Sequence, residues 1–451
     1  MHVATSRDSQ VEAIIDERPL GSLQVVTIIL CACVALVDGF DTQAIAFVAP
    51  VIAKAWSLDV SLFGPAFGAG LLGLTIGALA TGPVADRVGR KPIILLSTLV
   101  FGIGALVTVL ATSINEIMLY RLLTGLGLGG AMPNIIALTS EYAPKRIRAL
   151  VVTVMFCGFP IGAVIGGLVS TMIIPAYGWK SVFLGGGVLP LLLLPVLIRW
   201  LPESIRFLAA RGKETDVTAL VARIDSAAKL ALSPTQTNYV ETPTSTGLLA
   251  LFAPGRRAGT LLLWIAFFCN LLMMYFLINW LPSVLQRAGV PLERAIIATV
   301  LFNAGGVVGG LTISRLIDRF GPRVILTSAY LGAVISVAAI GAGWTSVGPT
   351  FVVIFAAGVC VMGVQFGMNS FTADYYPTAL RATGVGGALG VGRIGSILGP
   401  VLGGMLLGMH LDTDSLFHLA AIPALVAAIA IFFASSPRTD AINSAPSPVE
   451  V

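Results

Sequence analysis

A charged decapeptide, Gly82-Pro83-Val84-Ala85-Asp86-Arg87-Val88-Gly89-Arg90-Lys91, separates two long apolar stretches of the sequence. The apolar stretch before it covers about 62–85 and the one after it about 92–111. Each is close to the roughly 20 residues that a helix needs to cross a bilayer. Because a backbone in lipid must satisfy its polar groups internally, and because these stretches lack the alternation of barrel strands, they are predicted to be membrane-spanning helices.

The same pattern extends over the whole chain. Of its 451 residues, 56% are hydrophobic and only 11% are charged, against roughly a quarter charged in soluble domains. We therefore predict an all-α membrane protein with twelve transmembrane helices, at about 22–48, 62–85, 92–111, 115–139, 149–173, 180–200, 259–282, 294–316, 323–344, 348–371, 383–409 and 415–435.

Basic residues predict the orientation, because they favour cytoplasmic loops. A cytoplasmic N-terminus places most Lys and Arg of the short loops inside and leaves only four outside, which are Lys54, Lys180, Arg287 and Arg294. We predict a multi-pass protein of the cell inner membrane, with both termini cytoplasmic. The net charge of +5 is then explained by topology and lipid contact, so no nucleic-acid partner is expected. A monomer is expected.

A polar stretch divides the chain into two sets of six spans. The predicted parts are a cytoplasmic tail at 1–21, a six-helix bundle at 22–200, a cytoplasmic linker at 201–258, a second bundle at 259–435 and a cytoplasmic tail at 436–451.

An internal repeat supports this division. Asp86-Arg87-Val88-Gly89 recurs as Asp318-Arg319-Phe320-Gly321, 232 positions later. Glu141-Tyr142-Ala143-Pro144 recurs as Asp374-Tyr375-Tyr376-Pro377, 233 positions later. Two pseudo-symmetric bundles are typical of transporters that alternate about a site near the bilayer midplane.

The repeated loop charges are candidates for a gate, in which acids pair with helix ends and basic neighbours. The simpler alternative is that basic loops serve only topology, but topology does not require the repeated acid and glycine. The second half departs from the first, since Ser314 and Pro322 replace Gly82 and Arg90. The gating candidates are Asp86, Arg87, Arg90, Glu141, Arg148, Asp318, Arg319, Asp374 and Arg381.

Four charges that lie away from the ends of the predicted spans have no charged counterpart in the other half: Asp38, Asp41, Arg121 and Arg393. A charge at this depth is costly and indicates function. Asp38 and Asp41 are three residues apart and share one helix face, so we predict a proton-coupling site. A structural salt bridge to Arg121 is the alternative.

Arginine binds a carboxylate through a planar fork of two hydrogen bonds. Arg121 and Arg393 are therefore candidates for binding an anionic substrate. Flat apolar and polar groups in other spans would suit an aromatic ring with a hydroxyl, although each alone is more often a packing residue. These candidates are Phe159, Asn270, Tyr275, Gln365 and Asn369.

The decapeptide 82–91 resembles the signature loop of the major facilitator superfamily. The sequence Arg121-Leu122-Leu123-Thr124-Gly125-Leu126-Gly127-Leu128-Gly129 resembles its fourth-span motif, and Pro202-Glu203-Ser204 also fits that superfamily. The resemblance covers nearly the whole chain, and it implies the major facilitator fold.

The first-span sequence Asp38-Gly39-Phe40-Asp41 resembles the Asp-Gly-Phe/Tyr-Asp motif of the aromatic acid/proton symporters. Members of that family import hydroxybenzoates, protocatechuate and benzoate. The resemblance implies transport roles for Asp38, Asp41, Asp86, Arg121 and Arg393. It also implies proton symport of small aromatic carboxylates by alternating access, driven by the proton gradient and without a cofactor.

Two other functions remain open. A proton-coupled drug or organic-cation antiporter would use the two first-span acids as counter-ions, although Arg393 counts against it. A sensor that binds without transporting is the second. An enzyme is not expected, because His2, His410 and His418 form no nucleophile–base pattern and no metal-ligand spacing.

Overall fold

A computed structural model describes residues 15–16, 19–224, 248–253, 255–342 and 347–434. Twelve helices in these residues are long and apolar enough to cross a membrane, which confirms the predicted number. The described residues contain no β-strand. In chain order the spans are Ser22–Ala55, Phe63–Val88, Arg90–Thr108, Ile114–Tyr142, the pair Arg148–Phe156 and Gly158–Tyr177, Lys180–Trp200, Arg257–Arg287, Leu292–Phe320, Pro322–Ile340, Val347–Tyr375, Thr378–Gly408 and Thr413–Phe433.

The helices differ from the predicted spans mainly at their ends. The first continues to Ala55, seven residues past the predicted end at 48. The fifth is interrupted at Cys157. Pro160 explains the interruption, because proline has no N–H to donate to the carbonyl four residues earlier, which is that of Phe156. The ninth ends at Ile340, before the predicted end at 344.

Local capping accounts for several helix starts and ends. Ser113 begins the fourth span by accepting a hydrogen bond from the backbone N–H of Glu116 at 3.3 Å, as side-chain caps do. Gly89 and Gly321 follow the second and eighth spans with φ of 108° and 85°. These two left-handed glycines are 232 positions apart, so the repeat includes the turn after each span.

The chain forms two compact units. The first unit comprises Met1–Ala44, Ala69–Gly166 and Met172–Thr242, and the second comprises Ile45–Gly68, Gly167–Thr171 and Pro243–Val451. The units differ from the predicted bundles 22–200 and 259–435 at residues 45–68 and 167–171. These segments of the first, second and fifth spans belong to the second unit.

Glycines let helices of the first unit touch backbone to backbone. A Cβ at Gly162 of the fifth span would lie under 3.0 Å from the carbonyl oxygen of Leu36 in the first. Gly125 of the fourth span meets the carbonyl of Gly70 in the second in the same way. Real Cβ atoms do not come that close, so these contacts require glycine.

The second unit repeats the same contacts. Gly395 of the eleventh span meets the carbonyl of Phe268 in the seventh, and Gly358 of the tenth meets that of Phe302 in the eighth. Each glycine and each partner lies 232 or 233 positions after its counterpart in the first unit. The internal repeat is therefore present in the helix contacts as well as in the sequence.

Part of the predicted linker 201–258 is folded. Helices Ile205–Ala210 and Glu214–Ile224 lie within the first unit. Their apolar face includes Leu208 and Val217, which are buried in one cluster with Leu23 of the first span. Residues 225–247 and the predicted tail 436–451 lie outside the described residues.

The glycine contacts lead to a stability prediction. Replacing Gly162 by Val forces the first and fifth spans apart, and overpacking of this kind costs about 1–3 kcal/mol or more. We expect a lower melting temperature for the purified protein in detergent, measured by intrinsic fluorescence.

Gly185→Val is the matched control, because a Cβ at this helical position of the sixth span meets nothing within 4 Å. Equal melting temperatures for the two variants would contradict the contact.

Candidate functional site

The four residues Asp38-Gly39-Phe40-Asp41 face different neighbours around the first span. A Cβ at Gly39 would lie under 3.0 Å from the backbone carbonyl of Phe159 in the fifth span. The Phe40 ring lies against Gly166, where a Cβ would also come under 3.0 Å. Asp38 and Asp41 are both fully buried. The middle two residues thus hold the helix against the fifth span, and the acids lie inside the unit.

Asp41 forms a buried ion pair with Arg121 of the fourth span. Arg121 Nη1 lies 3.1 Å from Asp41 Oδ2, and Nη2 lies 3.4 Å from Asp41 Oδ1. Nη1 also donates to the Asp41 carbonyl at 3.3 Å, and Nη2 donates to Thr124 Oγ1 at 3.0 Å. The predicted possibility of an Asp–Arg pair is realised here with Asp41.

The sixth span covers this pair. The Phe183 ring centroid lies 5.0 Å from Arg121 Cζ, a distance at which a cation is attracted to the ring face. A Cβ at Gly186 would lie 3.3 Å from Asp41 Oδ1, so glycine leaves space for the carboxylate. Protonation of Asp41 would end the ion pair and leave Arg121 with the Asp41 backbone carbonyl, Thr124 and Phe183.

Asp38 has a different setting from Asp41. Thr42, one turn later, donates its hydroxyl to Asp38 Oδ1 at 3.1 Å. The two acids therefore share a helix but differ in their contacts, because the Arg121 guanidinium pairs with Asp41.

In the second unit, three predicted polar residues are linked by hydrogen bonds. Asn270 Nδ2 of the seventh span donates to Gln365 Oε1 of the tenth at 2.8 Å. Gln365 Nε2 then donates to Asn369 Oδ1, one turn later, at 3.3 Å. Asn270 is buried, Gln365 is partly buried and Asn369 is exposed.

Arg393 lies partly buried in the eleventh span. Its backbone carbonyl accepts a hydrogen bond from Ser396 Oγ at 2.7 Å. Within the described residues, no hydrogen bond or ion pair joins its guanidinium to another side chain. This arginine therefore differs from Arg121, whose charge is balanced inside its own unit.

The two remaining predicted binding residues are placed differently. Tyr275 is buried in the seventh span, and its backbone carbonyl accepts from Asn279 Nδ2 at 2.7 Å. Phe159 is partly buried in the fifth span and stacks on Phe156, with ring centroids 6.4 Å apart and an interplanar angle of 23°.

A network of charges holds the first unit together around the decapeptide 82–91. Arg90 forms an ion pair with Glu141 of the fourth span. Ser204, after the sixth span, donates its hydroxyl to Glu141 Oε2 at 2.6 Å. Predicted gating residues Arg90 and Glu141 are thus brought together.

Glu203 completes this network by capping the third span. Its Oε1 accepts backbone N–H bonds from Arg90 at 2.8 Å, from Lys91 at 3.1 Å and from Ser204 at 2.7 Å. A Cβ at Gly89 would lie under 3.0 Å from Glu203 Oε2. Gly89 is therefore required both by its positive φ and by the approach of this carboxylate.

Asp86, Arg87 and Arg148 lie at the edge of this network. Asp86 is exposed and, with Arg90, Arg206 and Phe207, lines a cavity of about 320 Å³. The Arg87 carbonyl accepts from Arg211. Arg148 Nε donates to the Ala143 carbonyl at 3.4 Å.

The second unit lacks an equivalent network among its described residues. Asp318, Arg319 and Asp374 are exposed, and Arg381 is partly buried. Pro322 occupies the repeat position of Arg90, so no guanidinium is available there for Asp374. The contacts of the first-unit gating candidates are therefore not repeated among the described residues of the second unit.

The residues that sequence analysis assigned no role are Thr124, Phe183, Glu203 and Ser204. Thr124 has a detectable signal, since it lies three residues after Arg121 and therefore on the same helix face. The signal for Glu203 is weaker. Its carboxylate accepts backbone N–H groups, which every residue except proline has, so no particular residue type in the sequence marks its partners.

The fold and its buried charges define a class of protein, a multi-pass helical membrane transporter. The chain belongs to the Major Facilitator Superfamily, which residues 31–383 and 263–450 match. This membership confirms the predicted superfamily and class, a transporter rather than an enzyme.

Related proteins and a solved structure agree with this assignment. The 4-hydroxybenzoate transporter PcaK of Acinetobacter baylyi is 42% identical over 96% of each chain. The gallate transporter of Pseudomonas putida is 41% identical over 92% of this chain and 93% of its own. A crystal structure of a D-xylose-proton symporter has a TM-score of 0.71 at 17% identity, over 91% of this chain and 98% of that chain, and this similarity concerns the fold alone.

The asymmetry of the two networks leads to a second prediction. Glu141→Ala removes the partner of Arg90 and Ser204 and is expected to destabilise the protein by about 1–3 kcal/mol. The repeat-related change Asp374→Ala removes an exposed carboxylate and is expected to stay within about 0.5 kcal/mol of the parent. Thermal unfolding of both variants in detergent measures the difference, and an equal or larger loss for Asp374→Ala would refute it.

Proposed function

We propose that the chain imports small aromatic carboxylates together with protons across the cell inner membrane. The observation that carries the proposal is Arg393, a cation within an apolar span whose guanidinium has no carboxylate partner among the described residues. An intramembrane arginine of this kind calls for an anion. The acids after which the two relatives are named, 4-hydroxybenzoate and gallate, are aromatic carboxylates.

The substrate carboxylate binds Arg393 through the guanidinium fork. A bidentate pair of this kind is directional and strong, and it neutralises the charge of the span. Tyr275, in the same unit as Arg393, is proposed to contact the ring.

The proton binds at Asp41. In the deprotonated protein the carboxylate is matched by Arg121 at 3.1 Å, so the pair carries no net charge. Protonation leaves Arg121 held by Thr124 and by the Asp41 backbone carbonyl, and the charge of its guanidinium is then no longer balanced by a carboxylate. Asp38 is the neighbouring acid through which a proton reaches the pair. Proton and anion binding are coupled because each changes the charge that the other meets.

Transport proceeds by alternating access, with release to the cytoplasm. The repeated glycine contacts support this step, because they tie the helices of each repeat together as a body able to move as a whole. The Glu141–Arg90–Glu203 network is proposed to act as a gate on the side that the excess of basic loop residues predicts to be cytoplasmic.

A cation antiporter of the same fold is less well supported. Of the two first-span acids that would serve such a cation as counter-ions, Asp41 already pairs with Arg121. Arg393 would also repel such a substrate.

The first transport prediction concerns Asp41. An imposed gradient of two pH units can sustain about hundredfold accumulation of one anion carried with one proton, since each unit is a tenfold change in proton activity. In Asp41→Asn the amide cannot take up the coupling proton, so labelled 4-hydroxybenzoate should no longer accumulate above its outside concentration in proteoliposomes. Exchange of labelled for unlabelled substrate should persist, because an amide oxygen can still accept from Arg121.

Asp59→Asn is the control, since Asp59 is exposed outside the spans and caps residues 60–62 by accepting the Ser61 N–H at 2.8 Å. Those hydrogen bonds lower the pKa of the Asp59 carboxyl, which makes it a poor proton carrier. Full gradient-driven accumulation by Asp41→Asn, above that of protein-free liposomes, would exclude Asp41 as the proton site.

The second transport prediction concerns Arg393. Arg393→Gln removes the charged fork, and loss of a charge-assisted hydrogen bond costs about 1.5–3 kcal/mol, so the apparent KM for 4-hydroxybenzoate should rise about 10- to 100-fold. Arg315→Gln, at an exposed position of the eighth span, should leave the apparent KM unchanged. An unchanged KM in Arg393→Gln would show that the carboxylate binds elsewhere.

A further inference from the structure

The row of amides Asn270, Gln365 and Asn369 has a defined direction. Asn270 donates through Nδ2 to Gln365 Oε1, and Gln365 donates through Nε2 to Asn369 Oδ1. We call these three residues the amide row. Because each amide has one acceptor end and one donor end, the first hydrogen bond of 2.8 Å fixes which end of Gln365 points away from Asn270.

The amide row leaves an acceptor without a partner. Asn270 has no exposed surface, and no described group donates to its Oδ1. Buried side-chain oxygens of folded proteins nearly always have a hydrogen-bond partner. An exception of this kind costs stability, and the cost is recovered when a ligand supplies the donor.

The amide row also leaves a donor beside that acceptor. Gln365 Nε2 carries two protons, and one of them is used in the long bond of 3.3 Å to Asn369. For its second proton the described residues provide no acceptor. Gln365 is only partly buried and Asn369 is exposed, so the row opens to a ligand from the Asn369 end.

One neutral ring substituent matches both groups. A hydroxyl donates one hydrogen bond and accepts others, so it can donate to Asn270 Oδ1 and accept from Gln365 Nε2. A methoxy group only accepts, an amino group mainly donates, and a ring hydrogen does neither. Sites that hydrogen-bond a substrate hydroxyl reject analogues without it, because the protein groups are then left unpaired.

We propose that the amide row recognises a ring hydroxyl of the substrate, with Asn270 as its acceptor and as the residue that sets the direction of Gln365. The inference rests on the proposed function, since it concerns the ring of the carboxylate that Arg393 binds. It narrows the substrate class from aromatic carboxylates to hydroxylated ones.

The first experiment needs no variant. Proteoliposomes with the wild-type chain take up labelled 4-hydroxybenzoate under a pH gradient, in competition with unlabelled 4-hydroxybenzoate, 4-aminobenzoate, 4-methoxybenzoate or benzoate. We expect the hydroxy compound to compete best and the amino compound next. The methoxy compound and benzoate should be roughly tenfold weaker or more, which is the usual worth of such a hydrogen bond.

Other orders would overturn the inference. Equal competition by all four acids would show that the protein does not recognise the ring substituent. A methoxy compound that matches the hydroxy compound would mean that the row presents a donor in place of the Asn270 oxygen.

The second experiment tests the residue. Asn270→Leu keeps the size of the side chain and removes the acceptor, so the four acids should compete within about threefold of one another, as expected when a single hydrogen bond no longer separates them. Uptake of labelled benzoate should persist in this variant, which shows that it is folded and active. Asn279→Leu is the matched control, because Asn279 is buried in the same span but donates only to the Tyr275 carbonyl of its own helix.

The outcomes separate this inference from the proposed function. If no aromatic carboxylate accumulates in the wild type, the proposed function fails. If uptake occurs and Asn270→Leu keeps the wild-type preference for the hydroxyl, only the role of the amide row fails.

Discussion

The backbone of Leu36 touches Gly162, and that of Phe159 touches Gly39. Any side chain at either glycine would separate the first and fifth spans. With the helices this close, Phe40 fits over Gly166, and Asp41 faces the fourth span, where it meets Arg121. The ion pair therefore depends on a packing contact made by residues without charge. In lipid, where there is little hydrophobic force between helices, such close contact supplies much of the attraction between them.

The two units share their helix contacts but not their chemistry. Gly162 and Gly395 occupy equivalent positions against the first and seventh spans, which explains how the repeat persists. The charges that lie away from the ends of the spans do not repeat: the first unit contains the balanced pair Asp41–Arg121, and the second contains Arg393 with the amide row. In the proposed mechanism, duplicated packing with unlike side chains lets one half bind the proton and the other bind the anion. A symmetric protein would have no such division.

The spans and the repeat could be predicted because the lengths of the apolar stretches and the spacing of the repeated motifs are read directly from the sequence. The sequence could not predict whether Asp38 or Asp41 pairs with Arg121. Both acids lie on one helix face, and the position of the fourth span along the first determines which of them Arg121 reaches. Glu203 binds backbone N–H groups, which every sequence contains. The unpaired oxygen of Asn270 depends on the direction of an amide, which composition does not encode. The helix break at Cys157 was in principle visible from Pro160.

The motif Asp38-Gly39-Phe40-Asp41 spans little more than one helical turn, so its side chains project about 100° apart. Gly39 and Phe40 meet the fifth span, and Asp41 meets the fourth. These four adjacent residues thus determine how the first span packs among its neighbours, and two of them, Gly39 and Phe40, act only through packing. A protein can keep all four residues and still transport a different acid, because the groups proposed to contact the substrate ring lie far away in the sequence. A match to this motif therefore identifies the helix packing of such a protein before it identifies the substrate.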